Sequence, residues 1–167
     1  MKIRAFDQAD FAVVQDIYLQ GIATNNATFA LEKKSWQQWQ SSMLSATLLV
    51  VVEQDSQGCE QLLGWAGLSA VSSREVYCGV GEVSIYISSK AAGRGVGTLL
   101  MNELIIQCEG LGFWTLQAAI FPENTASIAL HNKCGFITLG CRKALGKMHG
   151  VWRDVQFLER RSAVVGV

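Results

Sequence analysis

A chain of 167 residues that is half apolar and 17% charged is long enough for one domain with a sizeable core and too apolar for a disordered segment. Its 14 basic and 14 acidic side chains cancel and no basic run stands out, which argues against a nucleic-acid surface, where phosphate neutralisation supplies much of the affinity. No apolar run approaches the ~20 residues of a membrane helix, and the start Met1-Lys2-Ile3-Arg4-Ala5-Phe6-Asp7 lacks the apolar core of an export signal, so a soluble, cytoplasmic protein is expected.

Met1–Phe6 reads as a strand, and Asp7, with Asp10 three residues on, reads as the N-cap of a helix carrying Phe11, Val14, Ile17 and Tyr18 at helical spacing. The polar segment Thr24–Phe29 has no clear period. Ser35 and Gln38 form a capping box for a short helix with Trp36, Trp39 and Met43. Leu48–Glu53 and Leu62–Leu68 read as strands joined by the turn Asp55–Glu60, and Glu82–Ser88 as another strand.

After the glycine-rich run Gly93–Gly97, Thr98–Cys108 is predicted to be a helix, with Leu99, Leu100, Leu104 and Ile105 on its buried side. Phe113–Ile120 is predicted to be a strand, Asn124–Cys134 a helix stopped by Gly135, and Phe136–Arg142 and Val151–Leu158 late strands. Helices that interrupt a series of strands, with an early hairpin, imply an α/β fold in which a central mixed sheet is flanked by helices, with residues 1–167 forming a single domain. The five cysteines are odd in number and include no C-x-x-C pair, so reduced thiols are expected, with neither a disulfide framework nor a metal site.

Strand, loop, glycine turn and helix follow one another from Val83 to Thr98. This order brings free backbone N–H groups and a helix dipole to one place, which suits a phosphate. The Walker pattern fails because no lysine follows Gly95 or Gly97. The dinucleotide fingerprint is weak, because the glycines are spaced G-x-G-x-G and residues 115–122 hold no acid.

Gly93-Arg94-Gly95-Val96-Gly97 resembles the pyrophosphate turn of the GNAT (Gcn5-related) N-acetyltransferases, Gln/Arg-x-x-Gly-x-Gly/Ala. Ala92 stands where that pattern has Gln or Arg. Asn124-Thr-Ala-Ser127-Ile-Ala-Leu-His131-Asn-Lys133-Cys-Gly135-Phe136 is similar to the family's later cofactor segment, in which an asparagine meets the pantetheine arm; taken alone, Asn124 reads equally well as a helix cap. Ala23–Glu32 and Gly146–Asp154 extend the resemblance over nearly the whole chain, to the phosphinothricin and methionine sulfoximine acetyltransferase branch. A fold with a mostly antiparallel twisted sheet, acetyl-CoA as cosubstrate, a small amino-acid acceptor and a homodimer are what the resemblance implies.

It also implies roles for particular residues. Ile85, Tyr86 and Ile87 lie along the thioester and supply the oxyanion N–H. Gly93, Arg94, Gly95, Val96, Gly97 and Thr98 hold the pyrophosphate, and Asn124, Ser127 and Lys133 complete the cofactor site. Glu82 matches a glutamate that takes the ammonium proton, directly or through water, against the plain alternative of a solvated strand-edge carboxylate. His131 stands where many members of the family carry a tyrosine facing the sulfur, and is the candidate acid, with a packed histidine as its alternative. Arg74 has the fork shape suited to a carboxylate or phosphinate, and Phe29, Tyr86 and Trp152 are candidate pocket walls, some of them from a partner subunit. The branch has a basic residue near Cys78, whereas this chain reads Tyr77-Cys78-Gly79-Val80-Gly81. A polyamine or peptide N-terminus as acceptor, and a non-catalytic acyl-CoA-binding module, remain the competing readings.

Overall fold

The computed structural model describes residues Met1–Val167. Its strands are β1 (Lys2–Ala5), β2 (Leu49–Gln54), β3 (Glu60–Ala70), β4 (Val80–Ile87), β5 (Thr115–Ile120), β6 (Ile137–Met148) and β7 (Val151–Arg161). The helices are α1 (Phe11–Ala23), α2 (Trp36–Ser42), α3 (Val96–Gly110) and α4 (Thr125–Lys133). The strands form one sheet in the order β1-β2-β3-β4-β5-β7-β6. Every neighbouring pair is antiparallel except β4 and β5, so the expected mixed, mostly antiparallel sheet is present.

β2 shows why the sheet is covered on both faces. Leu49 and Val51 pack toward α3 with Leu68, Leu100, Met101 and Leu104, whereas Val50 and Val52 pack toward α1 and α2 with Val14, Ile17 and Trp39. A strand buried on both faces is apolar throughout, and Leu49-Val50-Val51-Val52 has that composition. In β3 the alternation breaks. A register shift opposite Val51 and Val52 puts Leu63 on the α3 side and then Trp65 on the α1 side, two residues later rather than one or three. That shift carries Trp65 into the aromatic cluster with Trp39, Tyr18 and Tyr86.

The helix starts follow their local chemistry. Asp7 accepts from Ala9 N–H, and the Asp10 carboxylate accepts from Asp7 N–H at 2.8 Å, capping a 3-10 turn, Gln8–Asp10, that leads into α1. Arg4 donates to both oxygens of Asp10, tying β1 to this turn. The Ser35–Gln38 capping box forms as expected.

The strand expected to end at Arg142 instead continues to Met148 and joins β7 in a long hairpin. Its register shifts between Arg142 and Gly146, where Ala144 has φ 48° and the Lys143 ammonium meets Asp154 at 2.7 Å. A polar, mostly exposed edge strand broken by a bulge carries no clean alternation, which is why its second half is hard to read.

Leu100 and Leu104 of α3 are fully buried against β2 and β3. Leu100→Ala is expected to lower unfolding stability by about 2–5 kcal/mol, the range for a buried leucine that leaves a cavity. Chemical denaturation of the two proteins checks this, and a loss below about 1 kcal/mol would mean that α3 repacks freely.

Candidate active site

The single parallel contact in the sheet is short. Val80, Gly81 and Glu82 pair with Thr115, Leu116 and Gln117, and Val83–Ile87 then run on without a β5 partner. β4 stays paired with β3 through Ile87, and β5 stays paired with β7 through Ile120. The sheet therefore opens into a wedge between β4 and β5, with backbone groups on its inner edge free to bond something else. A cleft of about 1060 Å³ runs through this opening and is lined on its two sides by Glu82–Ile87 and by Ala118–Phe121.

One mouth of the cleft is the glycine turn. Gly93 and Gly95 adopt φ of 75° and 77°, in the left-handed region that glycine alone enters at little cost. A Cβ at either position would meet nothing within 4 Å, so these two glycines serve backbone conformation and an open approach rather than packing. Gly97 has a different reason: a Cβ there would come within 3.1 Å of Leu130, so its lack of a side chain lets α3 and α4 close on each other.

Leu99 N–H donates to Gly95 O at 3.1 Å, the first rung of the α3 ladder, and no side chain caps this helix end. The amides of Val96, Gly97 and Thr98 therefore precede the ladder and are available to an anion. Val96, Gly97 and Thr98 line the cleft, as do Gly93 and Gly95. An open, uncapped, glycine-shaped helix start beside the wedge suits a phosphate or pyrophosphate.

Glu82 stands at the apex of the wedge, half-buried. Its Oε2 accepts from Gln117 Nε2 at 2.9 Å, across the last parallel pair before the strands separate, and its other oxygen has no protein partner. Tyr86 packs its ring on Trp65 and edge-on to Tyr18, and burial pushes its phenol well above its usual range, so it stays protonated. A Cβ on Gly21 would overlap the Tyr86 ring at 2.8 Å, so α1 needs glycine there for the ring to fit.

His131 is buried, faces the cleft and packs edge-on to Phe136. Its Nδ1 lies 2.8 Å from the Ser127 carbonyl oxygen, which can only accept, so Nδ1 carries the proton. Nε2 is buried with no partner. Burial lowers the imidazole's pKa and outweighs that hydrogen bond, which favours the neutral ring. In this state Nε2 carries the ring's lone pair.

Asn124 caps α4, accepting from Ser127 N–H at 3.2 Å, and donates to Asn26 O at 3.1 Å, so both ends of its amide are used within the protein. Phe29 reaches the cleft and packs edge-on to Phe121, and its ring occupies the space a Cβ on Gly146 would fill.

Four residues singled out from the sequence lie outside the cleft walls. The Arg94 guanidinium turns to Glu53, meeting both carboxylate oxygens at 2.8 Å. Arg74 lies over the Tyr77 ring in an exposed loop. Lys133 is exposed on α4, and Trp152 is an exposed β7 side chain with the Lys147 ammonium over its ring.

The structure adds residues that the sequence did not single out. Gln117 holds Glu82, and only the parallel register of β4 and β5 reveals it. Arg153 lies over Phe121 at 4.0 Å and donates to Asn25 O at 3.0 Å and toward Asn26 Oδ1 and Glu123, fastening the Asn25–Phe29 loop to β7. Its position next to Trp152 in the resembling tail was the one available hint. Lys34 is the only lysine or arginine lining the cleft, and Glu82 the only carboxylate. No helix is long and apolar enough to cross a membrane.

Comparison with known proteins agrees with this geometry. Residues 14–136 match the model of the acetyltransferase (GNAT) family. Phosphinothricin N-acetyltransferase of Alcaligenes faecalis is 32% identical over 95% of this chain and 81% of its own length. An L-methionine sulfoximine/L-methionine sulfone acetyltransferase of Pseudomonas paraeruginosa is 28% identical over 94% of this chain and 92% of its own. The crystal structure of a GNAT superfamily phosphinothricin acetyltransferase from Sinorhizobium meliloti in complex with AcCoA superposes with a TM-score of 0.84, at 32% identity over 99% of this chain and 90% of that one.

The state of His131 makes a stability prediction. Its folded pKa lies below the ordinary 6.5, so the unfolded chain binds more protons between the two values. Its contribution is complete above about pH 6.5 and is lost as pH falls below that toward the folded value. The melting temperature is expected to fall more between pH 7.5 and 5.5 in the wild type than in His131→Phe. Equal falls in thermal melts across that range would show that His131 is not held neutral.

Proposed function

The chain belongs to the acetyltransferase (GNAT) family, and from that premise we propose that it moves an acetyl group from acetyl-CoA to the α-amino group of a small amino acid or analogue of the phosphinothricin or methionine sulfoximine type. The observation that carries this reading is the wedge between β4 and β5, with a glycine-shaped anion site at one mouth and a single carboxylate at its apex. The relatives' names concern acceptors of this kind, and the cleft holds one carboxylate rather than the acidic lining a polyamine favours.

When bound, acetyl-CoA supplies an activated acyl carbon and a thiolate leaving group. The Val96–Thr98 amides and the α3 dipole hold the pyrophosphate. A β4 backbone N–H within Ile85–Ile87, unpaired toward β5, donates to the carbonyl oxygen as negative charge develops there. The free oxygen of Glu82 takes a proton from the acceptor's ammonium, directly or through water, while Gln117 fixes the carboxylate's orientation. The amine lone pair forms the C–N bond as the C–S bond breaks, and the second amine proton balances the charge of the departing thiolate. His131 lines the same cleft with its Nδ1 proton on the Ser127 carbonyl, and stands in this reading as a residue of the later cofactor segment.

The reading includes a homodimer. Exposed apolar side chains at Val76, Tyr77, Ile137, Leu139, Val151 and Trp152 support a partner surface that brings the Arg74 loop and Trp152 to a shared site. It also places the enzyme in the cytoplasm, where five free thiols stay reduced.

Glu82→Gln is expected to lower kcat by about 10²–10⁴-fold, the usual worth of a general base, with little change in acetyl-CoA affinity. Thiol release and calorimetry separate the two, and wild-type kcat in the variant would overturn the base assignment. Gly95→Val puts a β-branched residue at φ 77°, so cofactor affinity is expected to fall by about tenfold or more while Glu82 is untouched. Unchanged affinity by calorimetry would remove the turn from the binding site.

A further inference from the structure

The acceptor end of the cleft contains polar groups that the chemistry described above does not use. Lys34 Nζ donates to Ser42 Oγ at 3.0 Å, and Ser42 Oγ donates in turn to the Trp39 carbonyl, so these three residues sit together at α2. The backbone of Lys34 is anchored from the other side: its N–H donates to Oε1 of the buried Gln15 on α1 at 3.1 Å. Lys34, Trp39, Ser42 and Trp65 all line the cleft.

Trp39 and Trp65 are each only 2% exposed, their rings pack edge to face at 4.6 Å, and neither indole N–H has an acceptor in the protein. Buried donors without partners are rare in folded proteins. Two such donors lie in adjacent rings that line the same cleft as its only lysine, and an oxygen atom is the partner both lack.

Backbone contacts lead from the end of α2 toward Glu82. Just past the end of α2, Leu44 N–H donates to Leu68 O at 2.8 Å, and Ser69, the next residue of β3, is the cross-strand partner of Glu82. One cation, just before α2, and one carboxylate, on β4, thus line a common cleft. That is the charge pattern of a zwitterion's receptor, with the ammonium at Glu82 and an oxyanion at Lys34.

We propose that Lys34, with Ser42 and the unpaired indole N–H groups of Trp39 and Trp65, forms the pocket that binds an oxyanion of the acceptor and so selects amino acids over simple amines. The pocket rests on the reading of the enzyme as an acetyltransferase of small amino acids. Carboxylate and phosphinate share the chemistry this pocket recognises, and the substrates of the test separate them.

The experiment measures kcat/KM by thiol release for wild type, Lys34→Met and Lys34→Arg on methionine sulfone, on 3-(methylsulfonyl)propylamine, which lacks the carboxylate, and on phosphinothricin. The wild type is expected to prefer methionine sulfone to the amine. Lys34→Met is expected to lose about tenfold or more of that preference, and Lys34→Arg to keep most of it, with KM for acetyl-CoA unchanged in both. A merely structural lysine would lower all three substrates alike. Loss confined to phosphinothricin assigns the pocket to the phosphinate. Unchanged ratios for every substrate in Lys34→Met overturn the pocket and leave the proposed function standing. A wild type that acetylates the amine alone, or none of the three, overturns the proposed function and the pocket with it.

Discussion

The parting of β4 from β5 is the constraint on which the rest of this molecule depends. Parallel neighbours normally continue together, because each shared residue satisfies backbone groups. Here the pairing stops after Glu82 and Gln117, while each strand keeps its outer partner to its end. The backbone on the inner edges is thus unsatisfied without being disordered. Stiff outer pairings, β3 with β4 and β5 with β7, hold the wedge open, and both faces of the sheet near it are braced by buried side chains of α1 and α3.

Charge is used sparingly inside the cleft. Most ion pairs lie elsewhere: Arg4 with Asp10 and Glu60, Arg94 with Glu53, Arg160 with Glu109. The cleft keeps one carboxylate, one lysine and one neutral imidazole among aromatic and backbone surfaces. In surroundings of this kind a lone charge acts over a longer range than it does in water. The Arg94–Glu53 pair has a local consequence too. It holds the one arginine of the glycine turn against Glu53, so that the turn meets the cleft through its glycines and backbone.

Much of this was legible in the sequence. The glycine turn, the capped helices and the order of strands are written in local residue chemistry, and the side chains of Glu82, Phe29, Tyr86, Ser127 and His131 do reach the cleft. Features that depend on register were not legible. The shift opposite Val51 and Val52 delivers Trp65 to the α1 side of the sheet, and no run of residues announces it. Gln117 partners Glu82 only because two strands 35 residues apart are in one register. Arg74 and Trp152 were chosen for what such side chains can do, and a chemical type does not specify a direction: within one chain both point away from the cleft. Asn124 does cap α4, one of the two readings its sequence context allowed, and it lines the cleft as well.

The bond from Arg153 to the Asn25 carbonyl joins residues 128 positions apart. The Asn25–Phe29 loop near the beginning of the chain is thereby fastened by a strand near its end, with Phe29 seated against Gly146 and Phe121 beside it. During synthesis, the glycine turn and the Glu82 strand leave the ribosome well before that clasp exists. A nascent chain therefore carries the glycine turn and β4 before the clasp on the Asn25–Phe29 loop exists, and the cleft is complete only when the final hairpin docks.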